Sequence, residues 1–92
     1  MTGRAPLRHA TVTDRELPDG ERVLLTPDGS GVLVLNPLGS VIWTLCDGAH
    51  DVEGMARIIG ERFPEVAPEQ IARDVNAVLK QLAEAKLLDD VS

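Results

Sequence analysis

The stretch ERVLLTPDGSGVLVLNPLGSVIWTL, residues 21–45, contains the change of hydrophobic period that decides the fold. Its first part holds two short runs rich in Val and Leu, ERVLLT (residues 21–26) and GVLVL (residues 31–35). Between them stand Pro27, Asp28, Gly29 and Ser30. Proline fixes φ and glycine opens the positive-φ region, so these four residues are turn chemistry with a mechanism. Two such runs around such a turn predict a β-hairpin. From Asn36 the period lengthens. Asn36 has a side-chain oxygen free to accept an orphan N–H at a helix start, and Pro37 suits the first helical position. Leu38, Ile42 and Leu45 then recur at i, i+4 and i+7, one apolar helical stripe. Gly48 stands where a left-handed residue would end that helix.

Two more helices are expected downstream. Asp51 can cap the second, whose buried face is marked by Val52, Met55, Ala56, Ile59 and Phe63. Pro64 and Pro68 punctuate the next loop. The third helix starts near Pro68, with Ile71, Val75, Val78, Leu79 and Leu82 as its stripe. It ends near Lys86, a cation suited to the negative end of the helix dipole. Leu87 and Leu88 are expected to pack back onto the core, and residues 89–92 to fray. Upstream, residues 1–7 carry Gly, Arg and Pro without a pattern and read as a flexible arm. Residues 8–13 give a weak edge-strand signal through Ala10 and Val12. Residues 14–20, with Pro18, Asp19 and Gly20, read as a turn. Strands followed by three helices predict a single α+β domain, winged-helix-like, over residues 8–90.

Composition removes several classes of function. The chain has 92 residues, enough for one domain with one modest core. Its aromatic content is 2%, Trp43 and Phe63, too few for a stacking platform on single-stranded nucleic acid. Net charge is −6, so nucleic acid meets repulsion where its binding energy comes from phosphate neutralisation. The charge is uneven. Residues 1–46 carry four arginines against five acids, while residues 47–92 carry five basic residues against ten acids. A basic partner would be steered to the helical half. One cysteine excludes an internal disulfide and any all-cysteine metal cluster. The apolar runs are too short to span a bilayer, and residues 1–30 lack a signal-peptide core. The expected setting is cytoplasmic, with no membrane contact.

No constellation for catalysis emerges. Cys46 falls near a helix C-terminus, where the dipole opposes a thiolate, and Asp47 follows it. It reads as a small buried apolar residue. His9 and His50 show no metal-ligand spacing and read as exposed. Asp89 and Asp90 form a solvated acidic tail, and the glycines form no phosphate-binding loop. The chain is expected to be no enzyme and to hold no cofactor or metal.

The run Val32 to Leu35 is the remaining feature. It is the last strand of its hairpin, and an edge strand offers unpaired N–H and C=O groups to an added strand. The third helix could wall the resulting groove. Alternation leaves open which of Val32/Val34 and Leu33/Leu35 faces the core. A DNA-reading winged helix is the alternative, but residues 69–86 carry Arg73, Lys80 and Lys86 against Glu69, Asp74 and Glu84, net zero, where a groove-reading helix is normally basic. A structural subunit whose edge strand pairs with a second copy, a homodimer, is the other.

The string GVLVLNPLGSVIWTL (residues 31–45), followed by Cys46, Asp47 and Gly48, resembles the signature of the PqqD family, the peptide chaperones of pyrroloquinoline quinone (PQQ) biosynthesis. The stripe from Val52 to Phe63 and the ending from Ile71 through Asp74, Val75, Leu79 and Leu82 to Leu87 and Leu88 fit the same pattern. The resemblance covers roughly residues 8–90. Lys86 stands where the family often has glycine, and Gly39 where a small alanine is usual. The resemblance implies a leader-recognition element for ribosomally made, modified peptides (a RiPP recognition element). It would bind a precursor peptide by strand addition and present it to a radical S-adenosylmethionine (SAM) enzyme. Carried onto this sequence, the peptide-binding positions are Val32, Leu33, Val34 and Leu35 on the strand. On the third helix they are Arg73, Asp74, Val75, Val78 and Leu79.

Overall fold

The computed structural model describes residues 5–10 and 12–88. Three antiparallel strands, β1 (Thr13–Glu16), β2 (Arg22–Leu25) and β3 (Val32–Leu35), precede three helices, α1 (Pro37–Thr44), α2 (Val52–Arg62) and α3 (Pro68–Glu84). The sheet order is β1-β2-β3, so β3 is an edge. This is the expected α+β order.

Local chemistry sets most boundaries. In the β2–β3 turn, Gly29 adopts φ 75°. Asp28 accepts from the Ser30 N–H at 3.0 Å and from the Thr26 and Ser30 hydroxyls at 2.7 and 2.8 Å. These bonds favour the charged carboxylate and hold its pKa down to about 2. Asn36 and Asp51 cap α1 and α2 by accepting from the N–H groups of Gly39 and Gly54. α3 ends at Glu84, and Lys86 follows in a left-handed conformation at φ 62°. Glycine would take that conformation without a Cβ penalty, so lysine stops this helix at a local cost of about 1–2 kcal/mol.

The first strand differs from expectation. It lies at Thr13–Glu16 rather than at residues 8–13, and the turn begins only after it. All four of its residues are exposed, so hydrophobic alternation could not reveal it. Cross-strand charge holds it instead. Asp14 lies opposite Leu24 and Glu16 opposite Arg22, on the face that meets the helices. Arg22 pairs with Asp14 at 2.7 Å and Glu16 at 3.5 Å, and donates to the Ser40 hydroxyl of α1 at 2.8 Å.

The core is one aliphatic cluster. Leu24 and Leu35 of the sheet meet Ile42, Trp43 and Cys46 of the first helical unit, Met55 and Ile59 of α2, and Ile71, Val75 and Leu82 of α3. Leu87 is buried and Leu88 packs against the cluster, as the tail pattern predicts. The segment read as an arm is anchored at its downstream end. Pro6 accepts from the Gly48 N–H at 2.9 Å, and Leu7 bridges to Asp47. Residues 1–4, like the expected frayed end at residues 89–92, lie outside the described residues.

Candidate functional site

The parity of β3 follows from its partner. Leu24 is buried and faces Leu33, while Arg22 faces Leu35, which is also buried. Leu33 and Leu35 therefore point inward. Val32 and Val34 point outward and are 62% and 57% exposed. This settles the alternative that the sequence leaves open.

The same register fixes the backbone. The Thr26 N–H donates to the Gly31 carbonyl at 3.0 Å, which makes residues 26 and 31 a hydrogen-bonded pair. Antiparallel ladders alternate, so Leu24/Leu33 and Arg22/Leu35 carry the remaining β2–β3 bonds. Leu25/Val32 and Val23/Val34 are the non-bonded pairs. The N–H and C=O groups of Val32 and Val34 thus point away from β2, along the open edge. Two residues supply four backbone groups without a partner among the described residues.

An open groove of about 880 Å³ lies between the β2–β3 turn and the end of α3. Pro27 and Ser30 of the turn, Ala83 of α3, Lys86 after it, and His9 and Leu88 are among its lining residues. Lys86 makes no ion pair among the described residues. Leu79, half-buried, stands one turn before Ala83 on the same flank of α3.

The other α3 positions divide. Val78 is half-buried and packs against the core. Val75 is fully buried, so it seats the helix and presents nothing to a ligand. Asp74 accepts from the Gln70 amide at 2.9 Å. Arg73 is exposed and lies nine residues from buried Leu82, half a turn around a helix of 3.6 residues per turn. Ala83 lines the groove, Leu79 packs against the core one turn before it, and Arg73 faces away from the core-side stripe. Sequence reasoning missed Ala83 and Lys86, because helical periodicity says nothing of where a helix end meets a hairpin turn.

Neither histidine is fully exposed, contrary to expectation. His9 and His50 are half-buried, and His50 Nδ1 lies 2.9 Å from the Asp47 carboxylate. The Ala49 N–H and His50 together hold the Asp47 pKa below the ordinary carboxylate range. No group of three or more potential metal ligands occurs among the described residues, and no helix there is long and apolar enough to cross a membrane.

Cys46 is buried, and its S–H donates to the Ile42 carbonyl at 3.3 Å. Burial pushes its thiol up to about 12, outweighing the opposing pull of Arg8. The thiol thus stays protonated at neutral pH. Iodoacetamide should therefore modify Cys46 in denaturant and leave the folded protein unmodified over the same period, as read by intact mass. Cys46→Ala should change ligand affinity less than threefold, while Cys46→Ser should lower the melting temperature by burying a hydroxyl.

The family model of coenzyme PQQ synthesis protein D (PqqD) matches residues 21–88. The chain belongs to the PqqD family. That match spans the hairpin, the three helices and the returning tail, so the open β3 edge is part of a PqqD-type domain. Solved structures agree. TbiB1 in complex with the TbiA(β) leader peptide is similar at TM-score 0.77 and 26% identity, over 94% of this chain and 98% of that one. The solution structure of the PqqD truncation of Methylobacterium extorquens PqqCD is similar at TM-score 0.72 and 26% identity, over 92% of this chain and 88% of that one. It is described as a functional, stand-alone RiPP recognition element. No curated protein matches the chain.

Proposed function

We propose that this PqqD-family domain is a non-catalytic leader-peptide recognition element. A precursor peptide adds as a fourth strand to β3, beside Val32 and Val34, and α3 walls its inner side through Val78, Leu79 and Ala83. The domain then presents the peptide to a modifying enzyme. The observation that carries this reading is the open β3 edge, with four backbone groups directed outward and two valines more than half exposed. The family and the leader-bound TbiB1 likeness support it. Four backbone hydrogen bonds at about 0.5–1.5 kcal/mol each contribute about 2–6 kcal/mol. Two or three aliphatic anchors add about 1.5–3 kcal/mol each, and ordering the peptide takes several back. The dissociation constant expected is between high nanomolar and tens of micromolar.

Within this reading the family name favours PQQ biosynthesis, with a radical SAM enzyme as the partner. A neighbouring reading frame encoding a short peptide with Glu and Tyr a few residues apart would assign that pathway. A precursor without that pair would assign another modified peptide.

The test against DNA binding is a titration of a labelled leader segment from such a precursor, and of duplex DNA, between about 50 and 200 mM salt. The leader isotherm should saturate and shift less than threefold, since at most one or two ion pairs are involved. A DNA-binding helix loses orders of magnitude over that range. Arg73→Glu should leave leader affinity within about twofold, given its place on α3. Steep salt dependence with DNA and no saturable leader binding would overturn the reading.

A further inference from the structure

Three of the four exposed large apolar side chains among the described residues share one surface, the outer face of the sheet. They are Leu25 at 39%, Val32 at 62% and Val34 at 57%. Val23 lies on the same face. The register arranges them in two cross-strand rows, Thr13–Leu25–Val32 and Arg15–Val23–Val34. Each row ends in a valine at the open edge. The helices cover the opposite face, through Leu24, Leu33 and Leu35.

Both valines that direct backbone groups to the open edge also send their side chains to this outer face. Directly opposite residues of neighbouring strands share a face, with Cα atoms about 5.5 Å apart in a hydrogen-bonded pair. Any strand that bonds to Val32 and Val34 therefore places the residues opposite them on the outer face, at the ends of the two apolar rows. The residue between these two faces inward beside Leu33. We propose that this domain reads its bound strand on both faces, with the outer sheet face as a second recognition surface selecting β-branched or aromatic residues opposite Val32 and Val34. This rests on the strand-addition reading and states which side chains the added strand must carry.

A second copy of the chain does not suit the patch. The face is about 13 Å along the strands and about 10 Å between its outer strands, far below the roughly 800 Å² per partner of a standard stable interface. One added strand, by contrast, extends both rows by one residue each and continues the open edge. A cross-strand apolar pair changes affinity by about two- to fivefold, so the outer face tunes selectivity while the backbone supplies most of the binding.

The experiment is selection of a random 12-residue phage-displayed library on immobilised wild-type protein, on Leu25→Lys and on Val34→Pro. Leu25→Lys alters one row and leaves the edge backbone and the other row intact. Leu25→Thr replaces it should the lysine variant fail to fold by circular dichroism. Peptides enriched on the wild type and lost on Val34→Pro should show apolar β-branched or aromatic residues at consecutive positions of the bound strand. On Leu25→Lys, one outward position should lose that preference while its neighbours keep theirs. Selection of apolar residues at alternate positions only, unchanged on Leu25→Lys, would overturn the outer-face proposal and leave strand addition standing. Absence of any peptide sensitive to Val34→Pro would overturn strand addition itself, and this proposal with it.

Discussion

Val34→Pro should lower leader affinity at least tenfold and leave the helical circular dichroism unchanged. Proline removes the N–H of residue 34, which points to the open edge and bonds to nothing within the sheet. Val34 stands opposite Val23 in a non-bonded pair, so the β2–β3 ladder loses no hydrogen bond. Proline is tolerated on edge strands for this reason. The residue before it, Leu33, is already extended, as a pre-proline residue must be. The pyrrolidine ring also occupies the approach path of the added strand. A tenfold loss corresponds to about 1.4 kcal/mol, which one lost edge bond plus that obstruction readily supplies. Fluorescence anisotropy of a labelled leader measures it. Leu33→Pro is the contrasting control, because it breaks a ladder bond and should lower the melting temperature as well. Unchanged affinity in folded Val34→Pro would move the site off β3.

The largest effect on stability is expected at Trp43. This side chain is 2% exposed and is the only tryptophan in the chain. Its indole N–H donates to Asp14 of β1 at 3.3 Å, and Arg8 lies 5.9 Å from its ring centroid. Arg8 also donates to the carbonyls of Trp43 and Thr44 at 3.1 and 2.8 Å, satisfying the end of α1. One residue thus ties the first helix to the sheet and to the N-terminal segment. Trp43→Ala leaves a cavity in an aliphatic core and should cost about 3–5 kcal/mol. A 92-residue domain has about 5–14 kcal/mol in total. The melting temperature should fall by about 15–30 °C. Trp43→Phe keeps most of the volume and should lose less than half as much. A shift below 5 °C for the alanine variant would show that the sheet and α1 are held together by other contacts.

Much of this architecture was legible in residues 21–88. The hairpin came from Pro27 to Ser30, the first two helix starts from Asn36 and Asp51, and the core from aliphatic spacing. These signals are local, and the local preferences agree with the fold. β1 was misplaced because its register is set by charges that meet Arg22, a non-local device without hydrophobic period. The open edge was legible as a hairpin's last strand. Its parity was not, since Val32 to Leu35 is apolar throughout and only the buried partner Leu24 distinguishes its faces. On α3 the stripe was read correctly as a stripe. What the stripe could not show is which α3 residue meets the β2–β3 turn: Val75, Val78 and Leu79 pack on the core, Arg73 turns outward, and Ala83 lines the groove.

Amide hydrogen exchange of Val32 and Val34, with and without saturating leader, tests strand addition most directly. In the free domain both amides point along the open edge and should exchange fast, while Leu33 and Leu35 are slowed by their bonds to β2. With free leader at about 100 times its dissociation constant, exchange at Val32 and Val34 should slow by about a hundredfold, since the exposed form is then depleted in that proportion. The amides of Leu33 and Leu35 should change far less. Saturable leader binding that leaves Val32 and Val34 exchanging at their free rates would contradict strand addition at β3.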